Sequence, residues 1–153
     1  MNLIKAILLI LSLSLVAYTA HSDTQNGIVT LKSNHGVKET IDRLEDALSS
    51  KGMTIFTRVD HSAGAVKAGI SLRPTVLLVF GNPKVGTPLM LCSQTMALDL
   101  PQKALAYEDS DGQVWLSYND PAYLAKRHSI SGCDEALSKV TGALAKFSAA
   151  AVK

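Results

Sequence analysis

Two histidines are the residues best suited to chemistry in this chain. His61 follows Asp60 at the predicted start of a helix, and His128 follows Arg127 at the predicted end of another. An imidazole titrates near neutral pH and binds metal ions readily, so the two rings facing each other in one cleft would form a metal site or a proton-transfer site. The alternative is that each ring hydrogen-bonds a backbone group at its own helix end. Their separation of 67 positions matches no compact zinc motif.

Further charged residues stand close to the same predicted element ends. In a shared cleft a lysine would attract an anion, and carboxylates would bind a cation or move protons. Surface salt bridges are the alternative for each of them. The residues identify no cofactor and no catalytic group. The sequence therefore predicts a small-ligand or ion site built from Asp60, His61, Lys84, Asp99, Glu108 and His128. If this site binds a metal ion, His61 and His128 are its predicted ligands.

Cys92 and Cys133 are the two cysteines of the chain. In an oxidising compartment a disulfide between them is thermodynamically reasonable, and closing that loop would stabilise the fold by about 4 kcal/mol on the chain-entropy account, although the sequence favours the reading with two unpaired thiols. Two buried, unpaired thiols are the alternative. A redox role is a third reading, because Cys133 lies near the first turn of a predicted helix, where the helix dipole lowers a thiol pKa.

The segment FGNPKVGTPLM, residues 80–90, resembles a phosphate-binding loop at first sight. Gly81 and Gly86 have the separation of the two glycines in that motif, but Thr87-Pro88 follows them where Lys and then Ser or Thr are required. The phosphate-loop interpretation therefore fails. The same residues predict a corner between a strand and a helix, in which Thr87 caps the helix and Pro88 is its first residue.

Residues 1–22 are predicted to be a secretory signal peptide, because Lys5 precedes an apolar run from Ala6 to Val16 that is followed by small residues. Cleavage is predicted after Ser22, with cleavage after Ala20 or an uncleaved membrane anchor as alternatives. The protein is then periplasmic or secreted, without stable membrane association once the signal is removed. Residues 23–153 have the length of a single domain.

The charge pattern argues against nucleic-acid binding. The whole chain has a formal net charge of +2, and the predicted signal peptide removes one lysine and no acidic residue. A polyanion binder needs clustered Lys and Arg that displace counterions, whereas here both signs are interspersed.

The hydrophobic pattern predicts an alternation of strands and helices. Strands are predicted at residues 27–32, 53–60, 75–80, 102–108 and 113–118, the last two joined as a hairpin through Asp109 to Gly112. Two helices have clear apolar faces. The first helix follows a cap at Ser33 or Asn34 and carries Val37, Ile41, Leu44 and Leu48, and the last begins at Ser131 and carries Leu137, Val140, Leu144 and Phe147.

Several short sequences in this order resemble the family called domain of unknown function 302, between Gly52 and His128. They are Val59-Asp60-His61, LLVFGNPK from Leu77, GTPLM from Gly86, LDLP from Leu98, Tyr107-Glu108-Asp109 and Arg127-His128. The resemblance implies an α+β domain with a curved antiparallel sheet packed against helices, in a TATA-binding-protein-like β-α-β(4)-α arrangement that is often dimeric. It implies neither DNA binding nor an established activity, because fold and function separate readily.

Together these observations predict an exported homodimeric module that binds a small molecule or an ion without catalysing a reaction. The alternatives are a hydrolase or redox enzyme that uses His61, His128 and the nearby carboxylates, and a purely structural dimerisation domain.

Overall fold

The computed structural model describes residues 21–23 and 26–153. Most of the predicted signal peptide therefore lies outside the described residues. The strands are β1 (His21–Asp23), β2 (Ile28–Lys32), β3 (Thr54–Asp60), β4 (Thr75–Gly81), β5 (Gln102–Glu108) and β6 (Val114–Asn119). The helices are α1 (Val37–Ser49), α2 (His61–Lys67), α3 (Pro83–Cys92), α4 (Pro121–Arg127) and α5 (Asp134–Val152), with a 3-10 turn at Gln94–Leu98.

The strands form one antiparallel sheet in the order β1-β2-β6-β5-β4-β3. The predicted α+β fold, an antiparallel sheet packed against helices, is confirmed, and the five longer strands lie where the hydrophobic pattern placed them. The short β1 pairs with β2 at the sheet edge. Signal cleavage after Ser22 would remove two of its three residues, whereas cleavage after Ala20 would retain all three.

Helix α1 packs its predicted apolar face onto the sheet. Val37, Ile41, Leu44 and Leu48 are all buried, as their helical spacing predicts. The helix begins after Gly36, which makes no side-chain cap. The predicted cap residue Ser33 instead hydrogen-bonds the buried Thr40 hydroxyl, Oγ to Oγ1, at 2.7 Å.

Helix α5 completes the helical layer by packing against α1. Val140 and Leu144 are buried in the core, and Leu137 and Phe147 pack against its margin, so the predicted face is confirmed. The helix begins at Asp134, three residues after the predicted start, because Gly132 in a left-handed conformation (φ 72°) breaks the chain before it.

Successive strands from β3 to β6 are neighbours, so their connections alternate between the two ends of the sheet. We call one end the Asp60 end, where Asp60 pairs with Val76, and the other the Gly81 end, where Phe80 pairs with Gln102. The β4–β5 connection and the exit of β6 lie at the Gly81 end. Since β4 has seven residues, the two ends are about 20 Å apart.

The corner after β4 differs from its prediction. Helix α3 begins at Pro83, and its cap is Asn82, whose Oδ1 accepts a hydrogen bond from the Lys84 backbone amide at 2.9 Å. Thr87 and Pro88 lie inside the helix, so their predicted capping roles are wrong. Asn82-Pro83 carries the same cap-then-proline signal five residues earlier, and it comes directly after the strand.

The predicted apolar face of β3 is interrupted. The register against β4 shifts between Ile55 and Thr57, which places a bulge at Phe56 and leaves this ring 53% exposed. A bulge at the edge of a sheet turns a side chain away from simple alternation, and here it directs Phe56 to the rim of a pocket.

A row of small and apolar side chains crosses the opposite face of the sheet. Val59, Leu77, Leu105, Ser117 and Thr30 stand opposite one another in register on five adjacent strands. Directly opposed residues of antiparallel strands share a face, and none of these five belongs to the core under α1 and α5. This row is called the outer row below.

Candidate functional site

An apolar pocket of about 290 Å³ lies at the Gly81 end of the sheet. Helices α3 and α5 form two of its walls, and the ends of β4 and β5 close it below. This volume is near the lower limit of ligand sites in proteins, which span roughly 300 to 1,000 Å³. Most of its surface is contributed by carbon, from residues that include Phe56, Phe80, Leu89, Leu100, Leu144 and Phe147.

Local sequence fixes the position of the α3 wall at both ends. Asn82 caps the helix, and its Nδ2 donates to the Gly52 carbonyl oxygen at 3.1 Å, which ties the corner to the start of β3. At the other end Cys92 is joined to Cys133 in a disulfide across 41 positions. Helix α3 is therefore attached to β3 at its start and to the beginning of α5 at its end, with the pocket between them.

One buried polar side chain faces this apolar space. Gln102, the first residue of β5, lines the pocket and is only 7% exposed. Its Nε2 is buried and has no hydrogen-bond partner among the described residues. A buried donor without a partner is uncommon in folded proteins and calls for an explanation such as a ligand or a water molecule.

Outside the pocket, His128 forms the centre of a polar cluster at the same end. Its Nε2 lies 2.6 Å from Asp99 Oδ2, and its Nδ1 lies 3.0 Å from Thr95 Oγ1. Because a carboxylate only accepts hydrogen bonds, a neutral His128 ring would carry its proton on Nε2, toward Asp99, and its Nδ1 would accept from the Thr95 hydroxyl. Arg127 adds a cation 3.5 Å from the same Asp99 oxygen.

This cluster has the order of groups found in nucleophilic enzymes, a hydroxyl, an imidazole and a carboxylate. His128 is 7% exposed, whereas Thr95 is exposed on the 3-10 turn. The same bonds also attach that turn to the end of α4. Neither Thr95 nor His128 lines the apolar pocket.

The two histidines do not share a cleft, so the hypothesis of a joint His61–His128 site is wrong. His61 is exposed at the start of α2, at the Asp60 end, and His128 lies beyond β6 at the Gly81 end. The physical reason is the alternation of connections in an antiparallel meander. The 61–74 connection and the 82–101 connection must leave the sheet at opposite ends.

The other predicted site residues divide in the same way. Asp60 caps α2, with Oδ1 accepting from Ala63 N at 2.8 Å, and hydrogen bonds from the Ser62 hydroxyl and then this amide lower its pKa. Glu108 also lies at the Asp60 end, where its backbone amide bonds Pro74. Asp99 joins His128 at the Gly81 end, so of the six predicted ligand-binding residues these two, distant in sequence, are the pair that the fold brings into contact.

Lys84 lies at the Gly81 end but outside the apolar pocket. It borders a shallow hollow between α3 and the start of α5, beside Cys133 and Lys139. The disulfide consumes both thiols, so the structure offers neither the two unpaired thiols nor the reactive Cys133 thiolate considered from the sequence.

Among residues 21–23 and 26–153, no group of three or more His, Cys, Asp or Glu side chains is arranged to hold a metal ion. His61 and His128 do not form the predicted metal pair, because they lie at opposite ends of the sheet. The described part of the chain likewise contains no helix with the length and apolar character that crossing a bilayer requires.

Sequence reasoning missed Thr95 and Gln102. Thr95 lies in a segment without periodicity, and only its position four residues before Asp99 connects it with the charged candidates. Gln102 occupies a position where the alternation of β5 requires an apolar residue, since the core-facing Ala104 and Ala106 follow it at intervals of two. A polar residue at a predicted buried position of β5 was therefore the sequence feature that could have identified Gln102.

Comparisons with known proteins identify relatives of this chain. It is 50% identical over 128 residues to proteins named fluoride-specific ion channel FluC 1 from Brucella suis biovar 1 and from Brucella abortus biovar 1. The matched region covers 81% of this chain but 50% and 47% of those proteins. The chain thus spans about half the length of the curated relatives it matches.

The fold is also found in a solved structure. The crystal structure of an uncharacterized conserved protein DUF302 from Bacillus stearothermophilus superimposes with a TM-score of 0.74 at 20% identity, covering 83% of this chain and 98% of that one. Residues 29–147 match the family described as domain of unknown function DUF302. This chain belongs to that family.

Proposed function

We propose that this member of the DUF302 family is an exported, homodimeric module that binds a small, largely apolar molecule in the pocket at the Gly81 end. The pocket itself is the observation that carries the proposal. A cavity of about 290 Å³, lined by aromatic and aliphatic side chains around one buried amide, has the composition expected of a small-molecule site. The proposed role is binding without turnover.

Fluoride is a less suitable ligand for this pocket. The Brucella relatives bear the name of a fluoride-specific ion channel, but this chain spans half of their length. A small anion taken from water needs several hydrogen-bond donors or a cation to offset its desolvation. Among the described residues the pocket lining includes no Lys, Arg or His, so an apolar guest is favoured over the ion.

The homodimer is proposed to form through the outer row. Val59, on the edge strand β3, is 37% exposed, and Leu77 and Leu105, on the inner strands β4 and β5, are half-buried. A two-fold interface brings a surface into contact with its own copy, and the row is uncharged, so two copies meet without like-charge repulsion. Leu105→Glu, on the central strand of the row, should yield a monomer in native mass spectrometry, with a wild-type dimer as the reference.

Binding is tested with a neutral fluorophore whose emission rises in apolar surroundings, N-phenyl-1-naphthylamine. Ala143 lines the pocket on α5, and Ala145 lies on the same helix but is exposed and outside it. Ala143→Trp should fill the pocket and abolish the fluorescence increase, while Ala145→Trp should retain it. Equal signals from both variants, or none from the wild type, would contradict the proposal. Sodium fluoride added to the same titration tests the ion directly.

Export is tested by expressing the full chain and measuring the intact mass of the periplasmic protein. The expected mass is that of a chain that begins at Asp23, or at His21 if cleavage follows Ala20. Recovery of the full-length chain from the membrane fraction would contradict the export proposal.

A second candidate function is hydrolysis at Thr95, favoured by the Thr95–His128–Asp99 geometry. Thr95 Oγ1 would attack an ester carbonyl while its proton passes to His128 Nδ1, and the ring would give this proton to the departing alcohol. A water molecule would then hydrolyse the acyl-Thr95 ester and restore the hydroxyl. It ranks below binding because Thr95 does not line the pocket. With 4-nitrophenyl acetate, an acetyl adduct at Thr95 and loss of turnover in Thr95→Ala, but not in the exposed Thr141→Ala, would support it. A rate equal to that of buffer would exclude it for this substrate.

A further inference from the structure

We infer that the pocket selects uncharged ligands that carry a hydrogen-bond acceptor, and that Gln102 is the residue that recognises this acceptor. The inference rests on the proposed binding function of the same pocket and specifies the chemical class of its ligand. Ketones, esters, amides and quinones belong to this class. Pure hydrocarbons and carboxylates do not.

The position of Gln102 places its amide at the base of the pocket. It pairs directly with Phe80 across β4 and β5, so both side chains lie on the face that the helices cover. Phe80 is 1% exposed and also lines the pocket, so the surroundings of the amide are apolar. A donor in such surroundings gains a partner only from a guest or from water.

The other polar residues that line the pocket do not provide an equivalent contact. The Asn82 side chain is occupied at both ends, by the Lys84 amide and the Gly52 carbonyl. Thr87 is exposed on α3. Within the described residues, Gln102 Nε2 is therefore the buried donor in the pocket lining that can bond an acceptor on the ligand.

Charge selects the ligand further. In the part of the chain that the structure describes, no Asp, Glu, Lys, Arg or His lines the pocket. A carboxylate buried there would lose its hydration and gain a single amide contact, which does not offset the desolvation. A carbonyl oxygen needs only one donor, and the remainder of the molecule matches the apolar walls.

Three probes of similar size separate these classes: propiophenone has a carbonyl acceptor, propylbenzene has none, and 3-phenylpropanoate carries a charge. Their affinities are to be measured by isothermal titration calorimetry with the mature protein. Gln102→Leu should weaken propiophenone binding about fivefold to tenfold, which is the range for one lost hydrogen bond. It should leave propylbenzene binding unchanged or tighter, and the wild type should bind 3-phenylpropanoate more weakly than propiophenone.

Gln94→Leu, on the exposed 3-10 turn, is the matched control and should change none of the three affinities. Gln102→Met provides a second variant without the amide, in case leucine disturbs the fold. Equal losses for propiophenone and propylbenzene in the Gln102 variants, or tightest wild-type binding of 3-phenylpropanoate, would overturn this inference and leave pocket binding intact. Failure of all three probes to bind would overturn both.

Discussion

The two ends of the sheet differ in how firmly their side chains are held. At the Gly81 end a disulfide, a capped helix and the buried His128–Asp99 pair surround an apolar pocket. At the Asp60 end the seven-residue helix α2 buries no residue, and His61 is exposed. Sites require side chains held in place by their neighbours, so the Gly81 end offers the rigidity that the proposed binding site requires and the Asp60 end does not.

The difference also explains why charged residues in similar sequence positions have different surroundings. Asp60 is the last residue of β3 and directly precedes His61, whereas Asp99 lies before β5 and 29 residues before His128. Only Asp99 contacts an imidazole within hydrogen-bonding distance in the described structure, because its connection and the end of β6 leave the sheet on the same side.

The largest expected effect comes from the disulfide at the Gly81 end. Replacing both cysteines, Cys92→Ser with Cys133→Ser, should lower the free energy of unfolding by about 4 kcal/mol, because the unfolded chain regains the entropy of a 41-position loop. Urea denaturation measures this loss. Dithiothreitol should bring the wild type to the same midpoint and leave the double variant unchanged. Coincident curves for oxidised wild type and variant would contradict the account.

The two histidines give the most direct comparison of the ends. His128→Ala should lower the free energy of unfolding by about 2 kcal/mol, since it leaves the partly buried Asp99 without its closest partner. His61→Ala should change it by less than about 0.5 kcal/mol, as expected for an exposed residue. Urea denaturation of the two single variants measures both changes in the free energy of unfolding. Similar losses in the two variants would remove the distinction between the ends.

The helix caps at the two ends of the sheet allow the same comparison, with smaller expected changes in the free energy of unfolding. Asn82→Ala should cost about 1 kcal/mol, because it removes the cap of α3 and the bond to Gly52 together. Asp60→Ala removes the corresponding cap of α2 and should cost less, since α2 buries no side chain. Thermal melting of both variants ranks them, and the opposite ranking would show that the Asp60 end is the more rigid one.

The smallest expected effect is a change in the fluorescence of the single tryptophan with pH. Trp115 Nε1 donates to Asp109 Oδ2 at 2.6 Å, and this indole bond is the main reason that the pKa of Asp109 lies below its usual value of 3.8. A lowered carboxyl pKa stabilises the fold above the unfolded-state pKa, and the contribution is lost as pH falls through the folded-state pKa.

Acid titration of the wild type should therefore shift Trp115 emission below pH 3.8, at the pKa of Asp109. Asp109→Asn should eliminate this transition while retaining the emission spectrum of a half-buried indole at neutral pH. A transition of the same midpoint in the variant would assign it to another carboxyl group.

Much of the fold could be predicted from periodicity. The spacing of Val37, Ile41, Leu44 and Leu48 fixed the buried face of α1, and alternation located the β5–β6 hairpin. The corner after β4 was misplaced because two cap-then-proline signals, Asn82-Pro83 and Thr87-Pro88, lie five residues apart, and the sequence pattern alone does not decide between them. The bulge at Phe56 depends on pairing with β4, which a single strand does not reveal.

The candidate site was less predictable than the fold. The predicted site residues were charged residues and histidines, because the chemistry of these side chains is recognisable in a sequence. The pocket, however, is lined almost entirely by carbon. Its walls come from residues that also form an ordinary core, such as Leu144 and Phe80, and the sequence does not distinguish a packed core from a core with a cavity. The strand order would have separated His61 from His128, since consecutive antiparallel connections alternate ends.

Methionine methyl groups provide the most direct test of the central claim that the Gly81 end contains a ligand pocket. Met53 and Met90 line the pocket, whereas Met96 is buried nearby and does not. In protein labelled with ¹³C at the methionine methyl groups, saturating propiophenone should shift the Met53 and Met90 resonances and leave that of Met96 nearly unchanged. Unchanged Met53 and Met90 resonances, or equal shifts of all three, would contradict the account.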